Sequence, residues 1–193
     1  MKQIESFVRM CMQKEYVSEY EALWLRYALE KRITSVIAFI PLLIVGLLIT
    51  NPASLLAFHI TFFSLRTRTN GFHAKSVGRC LIYSMLGEVF FLRVLPMLWN
   101  DIIAFIALAM SIMLIWVFAP YNHPNMNLSS EEVIACANGA KWRLGMLVLS
   151  LSILYIWQQE KLADGILYGI VMTASTLAMA YFLQNTDAEE RIC

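Results

Sequence analysis

The sequence predicts an all-α protein, a polytopic helical bundle made for a membrane. Three observations carry that reading. Hydrophobic residues make up 59% of the 193 and charged residues 15%, whereas soluble domains run about 45–50% apolar and about 25% charged. The charges are clustered, which leaves six apolar segments at 33–50, 53–65, 81–99, 102–119, 144–157 and 166–183. The polar breaks Asn51-Pro52, Asn100-Asp101 and 158–164 are brief, so neighbouring segments pair as about six transmembrane spans in three hairpins, with no clear sequence repeat between them.

The elements follow in order. Residues 1–32 are amphipathic: Ile4, Phe7, Val8 and Cys11 recur at helical spacing, and Tyr20, Leu23, Trp24 and Tyr27 do so again. Two placements are open for these N-terminal helices. They lie in the interface with their aromatics at headgroup depth, or they form a cytoplasmic hairpin packed on the rest. Acidic Glu5, Glu15, Glu19 and Glu21 among Lys2, Arg9 and Lys14 do not read as a signal peptide. Segment 33–50 is uncharged and contains Pro41, which predicts a kink. Segment 53–65 is short for a span of about 20 residues, so it is tilted, re-entrant, or a helix running on into the polar stretch after it. Segment 81–99 carries Glu88 and Arg93; 102–119 is uncharged; 144–157 is short and clean; 166–183 completes the set. The chain thus divides into an amphipathic part at 1–32, a transmembrane bundle at 33–183 and a short tail at 184–193.

Basic residues set the expected orientation. Lys2, Arg9, Lys14, Arg26, Lys31 and Arg32 precede the first span; Arg66, Arg68, Lys75 and Arg79 follow the second; Lys141 and Arg143 follow the fourth. The opposite connections hold only Lys161. The positive-inside rule then puts both termini and the loop at 66–80 on the cytoplasmic side. A net charge of +1 argues against a nucleic-acid partner, which needs a basic surface to displace counterions. Cys11, Cys80, Cys136 and Cys193 show no paired spacing, so neither a thiolate metal site nor a disulfide framework is indicated. No metal and no organic cofactor is implied. Cys11, Cys136 and Cys193 read as free thiols filling gaps.

The polar island 66–80 is where chemistry concentrates. It contains His73 and Cys80 among Arg66, Arg68, Lys75 and Arg79. A free thiol is mostly protonated at neutral pH; cationic neighbours and a helix N-terminus favour the thiolate, which is the nucleophile. Cys80 opens an apolar helical segment, and His73 supplies an imidazole to pair with it and later act as general acid. Seven residues along one straight helix rise about 10.5 Å, too far for the two side chains to meet. The chain between them must therefore fold back. Asn70-Gly71 is a turn dipeptide and Gly78 permits a bend, so His73 is expected on a loop or short turn and Cys80 at the start of the next helix.

Arg66, then Asn70-Gly71-Phe72-His73-Ala74, then Cys80 resembles the motif of the AgrB (accessory gene regulator B) family, whose pattern is an arginine, a Gly-Gly-x-His-Ala core and a cysteine seven residues after the histidine. Asn70 replaces the first glycine; asparagine also tolerates a left-handed backbone. Ala119-Pro120-Tyr121-Asn122-His123-Pro124-Asn125 with Glu131-Glu132 is similar to the family's Ala-Pro segment and the acidic stretch after it.

The resemblance implies a membrane-embedded cysteine endopeptidase of quorum sensing in the bacterial cell membrane, a likeness that extends to the expectation of a homodimer. It implies an AgrD-like pro-peptide substrate with an amphipathic leader and an acidic tail. His73 and Cys80 would be the catalytic pair, with Arg66, Arg68, Asn70, Gly71 and Lys75 shaping the site or binding the tail. Cys80 would form an acyl-enzyme thioester, and a cysteine or serine of the peptide would close the ring as a thiolactone or lactone.

Other residues have competing readings. Glu88, about two turns below Cys80, either lines the substrate cleft or pairs inside the bundle, and Arg93 needs a partner elsewhere. His59 reads as a satisfied core residue and His123 as part of a Pro-rich turn. The recurrence of His59, Arg66, His73 and Cys80 every seven residues reads as coincidence, because Asn70-Gly71 interrupts any common helix. Asn70, Ser76, Asn122 and Glu131 are candidates to orient the imidazole. Gly165 and Gly169 form a GxxxG packing hint. Against the peptidase stand two readings from other classes, a small peptide exporter lined by Glu88 and Arg93 and a signalling scaffold; neither needs a reactive thiol.

Overall fold

In the computed structural model, residues 2–14, 16–71, 77–122 and 128–189 are described. Among them there is no strand, and the helices are α1 (Lys2–Gln13), α2 (Glu19–Ile49), α3 (Pro52–Thr69), α4 (Val77–Val89), α5 (Leu95–Leu98), α6 (Asp101–Phe118), α7 (Ser130–Ile156) and α8 (Glu160–Glu189). A π-helical turn, Phe90–Val94, joins α4 to α5. The chain forms two compact units, Met1–Ile44 and Val45–Cys193.

In the first unit, Ile4 and Val8 of α1 and Ala22 of α2 are buried together, with Val17, Leu25 and Leu29 against them. Cys11 is buried too, while Phe7 points outward. The other expected apolar set of this region, Tyr20 to Tyr27, lies outside the described side chains. Ser18 and Glu21 cap the start of α2: the Ser18 N–H and hydroxyl both donate to Glu21 Oε2, at 2.9 and 2.7 Å. Those bonds hold the Glu21 carboxyl below its ordinary range.

The second unit is a helical bundle. Four helices are long and apolar enough to cross a membrane, at 78–98, 101–118, 130–156 and 160–182, and a shorter apolar helical stretch runs Phe39–Ile49. Helix α8 is the axis of the unit: 67% of its membrane-length window is buried, against 11–22% in the other three. Its main partner is α3, and Gly165 and Gly169 explain how close the two run. A Cβ on Gly165 would strike the Ser54 carbonyl and come within 2.8 Å of Ala57 Cβ; one on Gly169 would come within 2.7 Å of Thr61 Cβ. The GxxxG pair is thus spent inside the chain, where small residues let two backbones approach.

Local signals place the helix ends. Asn51 caps α3 by accepting from the Ala53 N–H at 2.9 Å, with Pro52 at the first position. Asn100 caps α6 through the Ile103 N–H at 3.0 Å. Ser129 and Glu132 form a capping box, so α7 starts at Ser130, well before the apolar stretch from 144. Helix α8 likewise starts at Glu160 rather than 166. Both extensions are polar helical turns that hydropathy alone reads as connection. Pro96 has no N–H and its ring would crowd the carbonyl four residues back. The π turn just before it, with the Leu95 N–H bonding Phe90 O, widens the helix there. Segment 53–65 does run on into the polar island, as α3 continues to Thr69.

Candidate active site

The end of α3 is built by three sets of contacts. First, the helix stops at Thr69 because the chain turns left-handed: Asn70 has φ 57° and Gly71 φ 101°. The Asn70 N–H still bonds Arg66 O at 3.2 Å. Only glycine adopts the Gly71 conformation without strain, and the missing Cβ has a second use. A Cβ there would meet the Arg66 guanidinium at Nη1 and lie 3.2 Å from the Thr176 carbonyl of α8. Gly71 is therefore the floor on which Arg66 rests.

Second, the turn is stitched to the segment after α6. The Tyr121 N–H donates to Thr69 O at 3.0 Å, and Asn70 Nδ2 donates to Tyr121 O at 3.2 Å. Tyr121 packs edge-on against Tyr181 of α8, ring centroids 4.9 Å apart, and the Tyr181 hydroxyl donates to Phe118 O at 2.9 Å. The two sequence patches at 66–80 and 119–125, about 50 residues apart, thus meet in one place. An apolar cleft of about 450 Å³ opens beside them, lined by Leu114, Phe118, Leu177, Ala178, Tyr181 and Phe182.

Third, α7 grips α3 with an arginine that sequence reading treated only as a marker of orientation. Arg143 Nη1 donates to Ser64 O at 2.6 Å and to Thr67 Oγ1 at 2.8 Å. Arg68 in turn lays its stem on Gly139 of α7, where a Cβ would be 3.2 Å from Arg68 Cδ.

Cys80 is the fourth residue of α4 and is half-buried, in the first turn as its spacing predicts. Arg66 and Cys80 stand within electrostatic range of each other. Burial pulls the Arg66 guanidinium down to about 10, and the nearby Cys80 pushes it back up. Arg66 therefore stays cationic at neutral pH, and its Nη1 is enclosed. Arg79 is exposed. His73, Lys75, Ser76 and His123 lie outside the described residues. Of the proposed imidazole-orienting groups, Asn70 already holds Tyr121, and Asn122 bonds both the N–H and the carbonyl of Leu128. Glu131 is exposed in the first turn of α7.

Deeper in the unit, Glu88 has a partner on α3. His59 Nε2 lies 3.4 Å from Glu88 Oε1, and both residues are buried, at 5% and 1% exposure. His59 is also hydrogen-bonded to the Leu55 backbone. Gly46 makes room for the carboxyl, since a Cβ there would strike Glu88 Oε1 and Leu55 Cδ1. No group of His, Cys, Asp and Glu side chains suited to a metal occurs among the described residues.

No curated protein and no solved structure matches the chain. The family model for accessory gene regulator B, AgrB, matches residues 5–177, a span that includes both motif patches and every helix from α2 to α7. The chain therefore belongs to the AgrB family, a multi-pass membrane protein of quorum-sensing peptide processing.

Proposed function

We propose that the chain is a cysteine endopeptidase that cuts an AgrD-like pro-peptide on the cytoplasmic side of the membrane. The observation that carries this reading is the cationic Arg66, seated on Gly71 and within electrostatic range of Cys80 in the first turn of α4. A guanidinium that stays charged there can stabilise the negative charge that develops at the reacting carbonyl. Its enclosed Nη1 also fits it better to the reacting centre than to a solvent-borne tail. Arg68, Lys75 and Arg79 then remain to meet the acidic tail of the substrate.

The steps balance as follows. The Cys80 thiolate attacks the scissile carbonyl and the C–N bond breaks. His73 hands the thiol's proton to the departing amine, and the peptide stays on Cys80 as a thioester. A thiol or hydroxyl within the peptide then attacks that thioester, loses its proton to His73 and releases Cys80 as the ring closes. Thioester-to-thiolactone exchange conserves bond type, so ring closure needs positioning and exclusion of water more than driving force. The stitched turn at Asn70, Gly71 and Tyr121 offers a fixed wall for that purpose.

The orientation, with both termini and the 66–80 loop cytoplasmic, rests on the placement of lysine and arginine. The homodimer rests on the family likeness alone, because Gly165 and Gly169 already serve the α3–α8 contact.

The test is mass spectrometry of the cognate AgrD-like peptide co-expressed in membranes with the protein, beside Cys80→Ala and His73→Ala variants. Release of the C-terminal tail by the unaltered protein alone is the expected result. Equal processing by Cys80→Ala would sink the reading and shift the weight to export or scaffolding.

A further inference from the structure

The buried His59–Glu88 pair has no part in the chemistry just described, yet it sits on the two helices that carry that chemistry. On α3, His59 and Arg66 are seven residues apart, two turns, and so share one face. On α4, Cys80 and Glu88 are eight apart. Glu88 faces His59 across the two helices. This contact is a single rung between α3 and α4, two turns deeper than the thiol. Cys80 stands about 12 Å away along α4, so whatever sets the rotation of α4 at Glu88 also sets where the thiol stands.

The deep rung is specific. His59 is also hydrogen-bonded to the Leu55 backbone, which ties its ring to α3, and its Nε2 lies 3.4 Å from Glu88 Oε1. Ionisable side chains in an apolar interior are tolerated when they pair with one another. Gly46 closes against the carboxyl, and among the described residues no hydrogen bond meets either Glu88 oxygen, so the 3.4 Å approach of His59 Nε2 is the polar contact left to it. The glutamate therefore has one polar place to go. A one-residue slip or a rotation of α4 leaves it stranded, and a stranded buried charge is among the most costly errors a fold can make.

We infer that His59 and Glu88 form a positioning rung that fixes the rotation of α4 on α3, and so sets where the Cys80 thiol stands. The pair acts through helix placement and touches no substrate. This deepens the proposed peptidase reading and rests on it for its effect on turnover. Its effect on the thiol itself does not depend on any substrate.

The experiment uses the full-length protein in proteoliposomes with Cys11, Cys136 and Cys193 replaced by serine, so that Cys80 is the one reactive thiol. Two quantities are measured: the rate of Cys80 alkylation by a maleimide without peptide, and kcat and KM for tail release from the AgrD-like peptide. Glu88→Leu and His59→Leu are each expected to lower kcat about 100-fold, the effect of a roughly 1 Å misplacement, with KM within about threefold, and to change the alkylation rate several-fold. The double variant His59→Leu/Glu88→Leu should be no worse than the poorer single, as expected of two residues acting as one unit. Glu88→Gln, whose amide N–H can donate to unprotonated His59 Nε2, should fall between Glu88→Leu and the unaltered protein. Should Glu88→Leu fail to fold, Gly46→Ala perturbs the same rung from the side by pushing on Glu88 and Leu55.

Unchanged alkylation of Cys80 in these variants overturns the rung, whatever the peptide assay gives. So do losses that multiply in the double variant, or losses confined to KM. Tail release by Cys80→Ala would instead strike at the peptidase reading, and the alkylation arm would still judge the rung.

Discussion

Helix α3 is held differently on its two sides, and the contrast separates scaffold from site. Toward α8 it lies backbone to backbone over Gly165 and Gly169. Toward α7 and the segment after α6 it is held by named hydrogen bonds at its polar end, from Arg143, Asn70 and Tyr121. A close-packed apolar seam has no tolerance for volume but fixes no single atom. Directional bonds fix atoms, and they cluster where Arg66, Gly71 and Cys80 must keep their distances.

The seam should therefore break by volume. Gly165→Leu drives side-chain atoms into the Ser54 carbonyl and Ala57, backbone and short side chain that cannot swing away. Overpacking of this kind costs about 3 kcal/mol or more at its upper end. Expected is a sharp drop in the thermal midpoint and in yield in mild detergent. A melting curve like that of the unaltered protein would mean that the α3–α8 approach is looser than the glycines imply.

The site end should break by geometry at smaller cost in stability. Gly71→Ala must hold a Cβ at φ 101° and press it on the Arg66 guanidinium. The backbone strain is about 1–3 kcal/mol, so the protein should still fold. Tail release should fall about 100-fold, since Arg66 is displaced from Cys80. A Gly71→Ala protein with full turnover would remove Arg66 from the reacting centre.

Much of this contrast was legible in the sequence, and the reasons for the rest are physical. The turn at Asn70-Gly71, the helix running past 65 and Cys80 in the first turn of a new helix all follow from local chemistry: left-handed tolerance, capping and hydropathy. That the two motif patches meet was not read from the sequence, because the bonds between Thr69, Asn70 and Tyr121 join residues about 50 apart through backbone and amide groups. Arg143 on Ser64 spans 79 residues and leaves no periodic trace, so it read as a positive-inside marker. The His59–Glu88 pair escaped for the same reason. The heptad of His59 and Arg66, taken as coincidence, is two turns of one helix; only its extension to His73 and Cys80 is cut by the turn. Hydropathy also set the starts of α7 and α8 too late, because a polar helical turn and a polar loop look alike to it.

Arg143 sharpens the comparison at the next level. Arg143→Met keeps the stem and removes the bonds to Ser64 O and Thr67 Oγ1. Charge-assisted bonds to a half-exposed group should be worth about 1.5 kcal/mol here. Arg143→Lys should recover part of that and not all, because one ammonium cannot match the planar fork. Chemical unfolding of the three proteins side by side checks the order; a methionine variant as stable as the original would make Arg143 an orientation marker after all.

The smallest effect is expected at Asn70, where two terms oppose. Its φ of 57° with ψ of −114° is glycine-like backbone, so Asn70→Gly relieves strain of about 1–2 kcal/mol. The same change loses the Nδ2 bond to Tyr121 O, worth about 1 kcal/mol, and adds chain entropy to the unfolded state. These nearly cancel, and stability should move by less than about 1 kcal/mol, within the margin of the terms just named. Asn70→Ala keeps the strain and loses the bond, so it should be clearly the least stable of the three. Thermal melts that rank alanine level with glycine would mean that the backbone at 70 is not held left-handed, and that the turn ahead of His73 owes its shape to Gly71 alone.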